Sequence, residues 1–126
     1  MKVLMDRARA AAEDARILIE AGRSNGAVSR AYYAMFYAAR AALRSIDPEL
    51  DHAKTHATVL RRFSRHAVLE KGVDADLGRL LRQAYEVRQD ADYDGPGISI
   101  EQARRIVANA DRFIAAMTVF IGSSPP

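Results

Sequence analysis

Ser29-Arg30-Ala31-Tyr32-Tyr33-Ala34-Met35-Phe36-Tyr37-Ala38-Ala39-Arg40-Ala41-Ala42-Leu43-Arg44-Ser45-Ile46 reads as one helix whose surroundings decide the fold. With about 100° of rotation per residue, the run from Asn25 to Ile46 separates into three stripes. Val28, Tyr32, Met35, Ala39, Leu43 and Ile46 form a large apolar stripe. Ala27, Ala34, Ala38, Ala41 and Ser45 form a small one, which lets a neighbouring backbone approach closely. The third holds Arg30, Tyr33, Tyr37, Arg40 and Arg44. A helix at the edge of a bundle carries Glu and Lys on its outer face; this run has neither. The pattern predicts burial on two sides, with the Tyr/Arg stripe meeting something. An internal contact with the third or fifth helix would satisfy it. So would a subunit interface or a cleft, because Tyr and Arg are enriched on such surfaces.

Working outward, apolar residues recur at three- and four-residue spacing and no alternating strand pattern appears. A first helix is predicted from about Val3 to Ala21, with Leu4, Ala8, Ala11, Ala15 and Leu18 on its inner stripe and Gly22 as its stop. Ser24 or Asn25 is placed to cap the central helix, which Asp47-Pro48 ends. A third segment, about Ala53 to Glu70, points His56, Leu60, Phe63 and Ala67 inward and closes at Gly72. Asp74 is a natural cap for a fourth helix bearing Leu77, Leu80, Leu81, Ala84, Val87 and Ala91. After a polar loop, Ser99-Ile100-Glu101-Gln102 has the form of a capping box. It opens a fifth helix that buries Ala103, Ile106, Ala110, Phe113, Met117 and Phe120. Short connections between helices of similar length imply an all-α, up-and-down bundle of four to five helices. The expected organisation is one domain over residues 1–121 and a flexible tail over 122–126.

The composition sets outer bounds. At 126 residues the chain suits one domain with a real core. Its 49% hydrophobic and 28% charged residues are those of a folded globular protein rather than a disordered one. With no cysteine, disulfides and thiolate metal sites are excluded. Charge interrupts Met1-Lys2-Val3-Leu4-Met5-Asp6-Arg7 too early for a signal peptide, and no apolar run reaches the ~20 residues of a membrane span. A cytoplasmic protein without a membrane anchor is expected. The net charge of +3 permits a nucleic-acid or nucleotide partner without demanding one.

The end of the fourth helix, Val87-Arg88-Gln89-Asp90-Ala91-Asp92-Tyr93-Asp94, opposes local rules. Carboxylates crowd a helix C-terminus, where the backbone dipole favours cations. Arg88 and Asp92 also stand in the less favourable order for a surface ion pair. Either a buried Arg88–Asp92 pair fastens the helix, or the stretch serves a site. Asp90, Asp92, Asp94, Gly95 and Glu101 also match a calcium-loop template. That loop has no second copy, however, and Gly97 occupies its usual apolar position, so no metal is assigned. His52 and His56 are four apart but lack a third ligand at useful spacing. His56 lies on the packed side of its helix.

Three motifs in order resemble the HEPN domain family, and within it the small stand-alone UPF0332 branch. They are Ser29 to Leu43 as quoted above, Lys54-Thr55-His56-Ala57-Thr58-Val59, and Arg88-Gln89-Asp90-Ala91-Asp92-Tyr93-Asp94. The resemblance implies a four- to five-helix bundle, usually a homodimer, with a cleft where the second and fourth helices meet near the dimer axis. It further implies a toxin–antitoxin-like setting with a minimal nucleotidyltransferase as partner. Several branches of the family are metal-independent ribonucleases, in which an Arg is followed four to six residues later by His. Here that window holds Tyr93, and no histidine follows Arg88 anywhere in the chain. A tyrosine near this motif is adenylylated in some relatives, which makes Tyr93 a modification candidate.

From the residues and the resemblance, Arg30, Tyr33, Tyr37, Arg88, Asp92 and Tyr93 are the expected contacts to a nucleotide or RNA, with no cofactor. In the alternative, Arg88 and His56 together cleave RNA: Arg88 grips phosphate and His56 acts as the acid–base group. A third possibility makes all of these residues structural parts of a helical dimerisation protein.

Overall fold

The computed structural model describes residues 1–52, 55–91 and 97–123. Its elements are α1 (Lys2–Glu20), α2 (Ser24–Ile46), a 3-10 turn (Pro48–Asp51), α3 (His56–Arg62), a π-helical continuation (Phe63–Glu70), α4 (Ala75–Ala91) and α5 (Ile100–Gly122). No strand occurs among the described residues, so the all-α bundle read from periodicity stands.

Helix α1 ends as its glycine dictates. Gly22 takes φ +73°, a conformation that costs glycine little, and the chain reverses there. The Gly22 N–H donates to the Ile19 carbonyl at 3.0 Å and the Arg23 N–H to the Leu18 carbonyl at 2.8 Å. This is the double bond of a Schellman motif, which satisfies carbonyls the helix end would leave orphaned. The cap expected from Ser24 or Asn25 does not form. Helix α2 already includes both residues, and Arg23 precedes it without a side-chain cap bond. Asn25 is engaged elsewhere: its side-chain oxygen accepts from the Ile98 N–H at 3.1 Å, tying the approach to α5 onto the start of α2.

Helix α2 is the hub of the bundle and packs against every other element. From Ala38 to Leu43 only Arg40 escapes complete burial. The alanines of its small stripe are sealed, as are Ala8, Ala11, Ala12 and Ala15 on α1. Small residues on both helices let the axes come close. Of the large stripe, Val28, Tyr32, Met35, Ala39 and Leu43 are fully buried and Ile46 partly so. Helix α5 supplies Phe113, whose ring centroid lies 5.4 Å from that of Phe63 and joins the far side of the bundle to the third segment.

The third segment departs from expectation at its start and in its internal hydrogen bonding. It begins at His56 because the Thr55 hydroxyl caps it, accepting from the Thr58 N–H at 3.2 Å. Beyond Arg62 the hydrogen bonding widens to π geometry, which keeps Phe63 and Ala67 fully buried while changing the turn. Gly72, at φ +76°, then ends the segment as predicted. At α4 the Asp74 side chain accepts from the Asp76 N–H at 2.9 Å, and at α5 Ser99 accepts from the Gln102 N–H at 3.1 Å. Helix α5 runs through Gly122, one residue into the expected tail.

Part of the Tyr/Arg stripe meets the 3-10 turn rather than the third or fifth helix. Asp51 is the buried charged residue of the described chain, and two guanidinium groups close over it. Arg40 Nε donates to one carboxylate oxygen at 2.8 Å, and Arg44 Nε to the other at 3.0 Å. Arg62 adds a bond from Nη1 to the Leu50 carbonyl at 3.1 Å. These bonds fix the turn that leads to His56. Asp51→Asn keeps the shape but removes the charge that offsets two arginines. Stability should fall by about 1–3 kcal/mol, less than for a sealed pair because the Arg44 side chain is 41% exposed. Urea denaturation should show a lower midpoint at unchanged slope. A change within about 0.5 kcal/mol would mean that the turn does not rely on the pair.

Candidate functional site

Three elements converge at one corner of the bundle. Helix α2 brings Arg30, Tyr32, Tyr33, Phe36 and Tyr37; the first residue of α3 is His56; and α4 brings Tyr85 and Arg88. Each group arrives for a local reason. Tyr32 and Tyr33 are adjacent in sequence, so they point about 100° apart, one to the core and one to its margin. His56 is held by the Thr55 cap behind it and the Asp51 anchor before it. Arg88 lies one turn beyond Ala84, on the edge of the apolar face of α4.

The imidazole of His56 lies among aromatic rings. Its centroid is 4.4 Å from that of Phe36 in a stacked arrangement, 5.6 Å from Tyr32, and 5.7 Å from Tyr33 edge-on. Nδ1 is 2.9 Å from the Tyr32 hydroxyl, so one of the two atoms donates to the other. Tyr85 closes the cluster from α4, with its ring 5.6 Å from Tyr32 and 6.4 Å from His56. Tyr32 is completely buried and His56 half-buried.

The cations sit around Tyr33. The Arg88 guanidinium lies 5.0 Å from the Tyr33 ring centre and 5.5 Å from that of Tyr32, and its Nη2 donates to the Tyr33 hydroxyl at 3.4 Å. Arg30 lies over the same Tyr33 ring at 5.0 Å. Tyr37, half-buried, continues the row with its ring 6.0 Å from Tyr33. Cation–π attraction of this kind sets the orientation of the guanidinium plane.

This environment sets the protonation states. Burial, and then the Arg88 charge, lower the pKa of His56 below the ordinary imidazole value of 6.5. The ring is therefore neutral at pH 7. Burial raises the Tyr32 phenol well above its usual range, with Tyr85 adding to the shift and Arg88 opposing it, so its proton stays on. The corner thus pairs a permanent cation with a neutral imidazole, inside a frame of rings on which a base could stack.

Of the residues expected to form the site, Arg30, Tyr33, Tyr37, Arg88 and His56 are brought together here. Asp92 and Tyr93 lie outside the described residues, as do Asp94 and Gly95 of the calcium-loop pattern. Arg44, on the same stripe, does not join the corner, and Arg40 touches it only through the Phe36 ring, 5.9 Å from its guanidinium; Asp51 holds both further along α2. His52 is exposed, and His66 is bound to Glu70 at 2.5 Å. No grouping of three or more His, Asp or Glu with metal-ligand geometry occurs among the described residues. Tyr32, Phe36 and Tyr85 were not expected in the site. Tyr32 carried one usable signal, because a buried tyrosine on an apolar stripe still needs a partner for its hydroxyl.

Comparison with known proteins shows the family. The HEPN domain profile matches residues 1–119. A UPF0332 protein of Gloeobacter violaceus is 32% identical over 120 residues, covering 94% of this chain and 93% of its own. A Methanocaldococcus jannaschii protein named "Putative toxin" is 34% identical over 102 residues, covering 79% of this chain and 72% of its own. A UPF0332 protein of Thermotoga maritima is 32% identical over 117 residues, with coverage of 91% and 86%. The bundle, the three motifs in order and these matches agree: the chain belongs to the HEPN domain family.

Proposed function

We propose that this chain is a toxin-like HEPN module that binds RNA or a nucleotide, with a phosphate held by Arg88 at the Tyr33 corner. The observation that carries this reading is the meeting of Arg88 with Tyr33 and of Tyr33 with His56, from three separate elements. Guanidinium is suited to phosphate by its planar fork, and the surrounding rings offer stacking surfaces to a base. The relative named as a toxin supports the toxin-like setting. The family resemblance supports a minimal nucleotidyltransferase as partner and a homodimer as the working form. In that form the half-buried Arg30, Tyr33 and Tyr37 would face a second copy. No helix of the described residues is long and apolar enough to cross a membrane.

One observation favours cleavage as the second reading: Arg88 and His56 share the same two tyrosines. If Nδ1–H donates to the Tyr32 oxygen, Nε2 has the lone pair a general base requires. If Tyr32 donates instead, Nε2 carries the proton and serves as a hydrogen-bond donor. Either way the usual histidine after Arg88 is replaced by one from α3.

Fluorescence anisotropy with a short labelled oligoribonucleotide separates the readings. Arg88→Ala should weaken binding at least about tenfold and lower the dependence of log K on log salt by about one. Binding that survives this change intact contradicts the proposal. If the protein also cleaves, both Arg88→Ala and His56→Ala should abolish the products. Cleavage that persists in His56→Ala removes His56 from any catalytic role.

The low pKa of His56 also fixes a pH dependence. Its folded value lies below its unfolded one, so the unfolded chain takes up the proton first. The resulting stability is fully present above about 6.5 and is lost as pH falls through the folded value. His56→Gln should flatten the part of the stability profile between pH 7 and the folded value. An unchanged slope would mean that the ring is not held neutral.

A further inference from the structure

A groove runs between α4 and the continuous segment formed by α3 and the π helix. It comprises a cavity of about 620 Å³ bordered by Val68, Leu69 and Gly78 and one of about 480 Å³ bordered by Ala57, Leu60 and Tyr85. Ser64, Arg82 and Glu86 line both, so the two are continuous. Along α4 the lining extends from Ala75 to Gln89, about 21 Å at a helical rise of 1.5 Å per residue. Helix α2 packs on both of these elements and α5 on α4, and the groove between them is left open.

We propose that this groove docks an acidic amphipathic helix of another protein. Its length matches about four turns of such a helix, and its floor is apolar. Leu69, which is 80% exposed at the rim, is the most exposed large hydrophobic side chain of the described residues. An apolar side chain left open beside an apolar trough marks a protein contact. Charge selects the acidic class. Arg61 and Arg82 stand exposed on opposite walls, and neither pairs with a carboxylate among the described residues. Nearby acids are engaged: Asp76 by Arg79 and Arg112, and Glu70 by His66. Glu86 alone among the described lining residues is acidic. The lining has uncharged donors in Ser64, Gln83 and Gln89, but Ala57, Leu60, Val68 and Leu69 give it an apolar surface that a nucleic-acid strand would leave uncovered, whereas a helix with a leucine face and glutamate flanks matches both floor and walls. Gly78 contributes to the shape, since a Cβ there would stand 3.5 Å from Val68 and narrow the trough. Tyr85 borders the groove and also packs on His56, so an occupant would touch the back of the candidate site. The proposal stands on the groove alone and does not require RNA to bind at Arg88.

The test uses a fluorescein-labelled, end-blocked peptide of about 16 residues, with leucines at helical spacing and glutamates beside them. Its counterpart carries lysine in place of glutamate. The acidic peptide should bind saturably, and the lysine peptide about tenfold more weakly. Leu69→Glu and Arg82→Glu, both exposed, should each weaken the acidic peptide about tenfold without lowering the melting temperature. Arg88→Ala should bind it as the wild type does. Equal binding of the two peptides, absence of saturation, or wild-type binding by both groove variants overturns the proposal. Displacement of the peptide by oligouridylate, with Arg82→Glu losing affinity for that RNA, overturns it in favour of a nucleic-acid groove.

Discussion

The close approach of α1 to α2 through buried alanines is the constraint on which the rest of the structure depends. Ala8, Ala11, Ala12 and Ala15 on one helix, and the small stripe on the other, leave no room for solvent between them. With α5 on another side, α2 has little of its circumference left to water. A polar group on such a helix must find its partner within the protein or remain unsatisfied at a cost of about 1–3 kcal/mol. The Tyr32 hydroxyl meets this demand at His56, Tyr33 at Arg88, and the pair Arg40 and Arg44 at Asp51. The site geometry is thus a consequence of packing. His56 and Arg88 come together because the tyrosines of α2 require something polar at that corner.

The two ends of the Tyr/Arg stripe hold their arginines in different ways. Near the C-terminal end of α2, two guanidinium groups share one buried carboxylate, and their charge is spent on holding a turn. Toward the other end, Arg30 and Arg88 lie over an aromatic ring. A ring orients a cation through the negative face of its π system. The neutral imidazole follows from the same arrangement: burial and a nearby positive charge both disfavour a second cation. An incoming phosphate would relieve that repulsion.

Much of this was legible in the sequence, and the failures have physical reasons. The stripes of α2 follow from helical geometry, and the stops at Gly22 and Gly72 from the freedom of glycine at positive φ. Arg88, His56 and Tyr33 could be singled out because they break the expected polarity of their helices. The Asp51 clamp could not be read. It joins a carboxylate to arginines seven and eleven residues earlier, across a turn whose path depends on tertiary packing. The π widening was equally hidden, since Phe63 and Ala67 have ordinary helical spacing. Tyr32 was placed in the core, which is true of its ring, but a helical wheel gives a direction and never a partner for the hydroxyl. Tyr85 drew no notice because nothing on α4 alone marks it; its role comes from facing Tyr32 and His56.

In the proposed function, Arg88 and His56 form one anion-receiving corner. Titrating the labelled protein with a dinucleotide, while following the His56 ring and the arginine side-chain signals by NMR, tests this most directly. The His56 and Arg88 signals should shift together and saturate at one common ligand concentration, while that of Arg44 stays in place. If His56 and Arg88 do not move, or if the shifts fall instead on the arginines beside Asp51, the claim is contradicted.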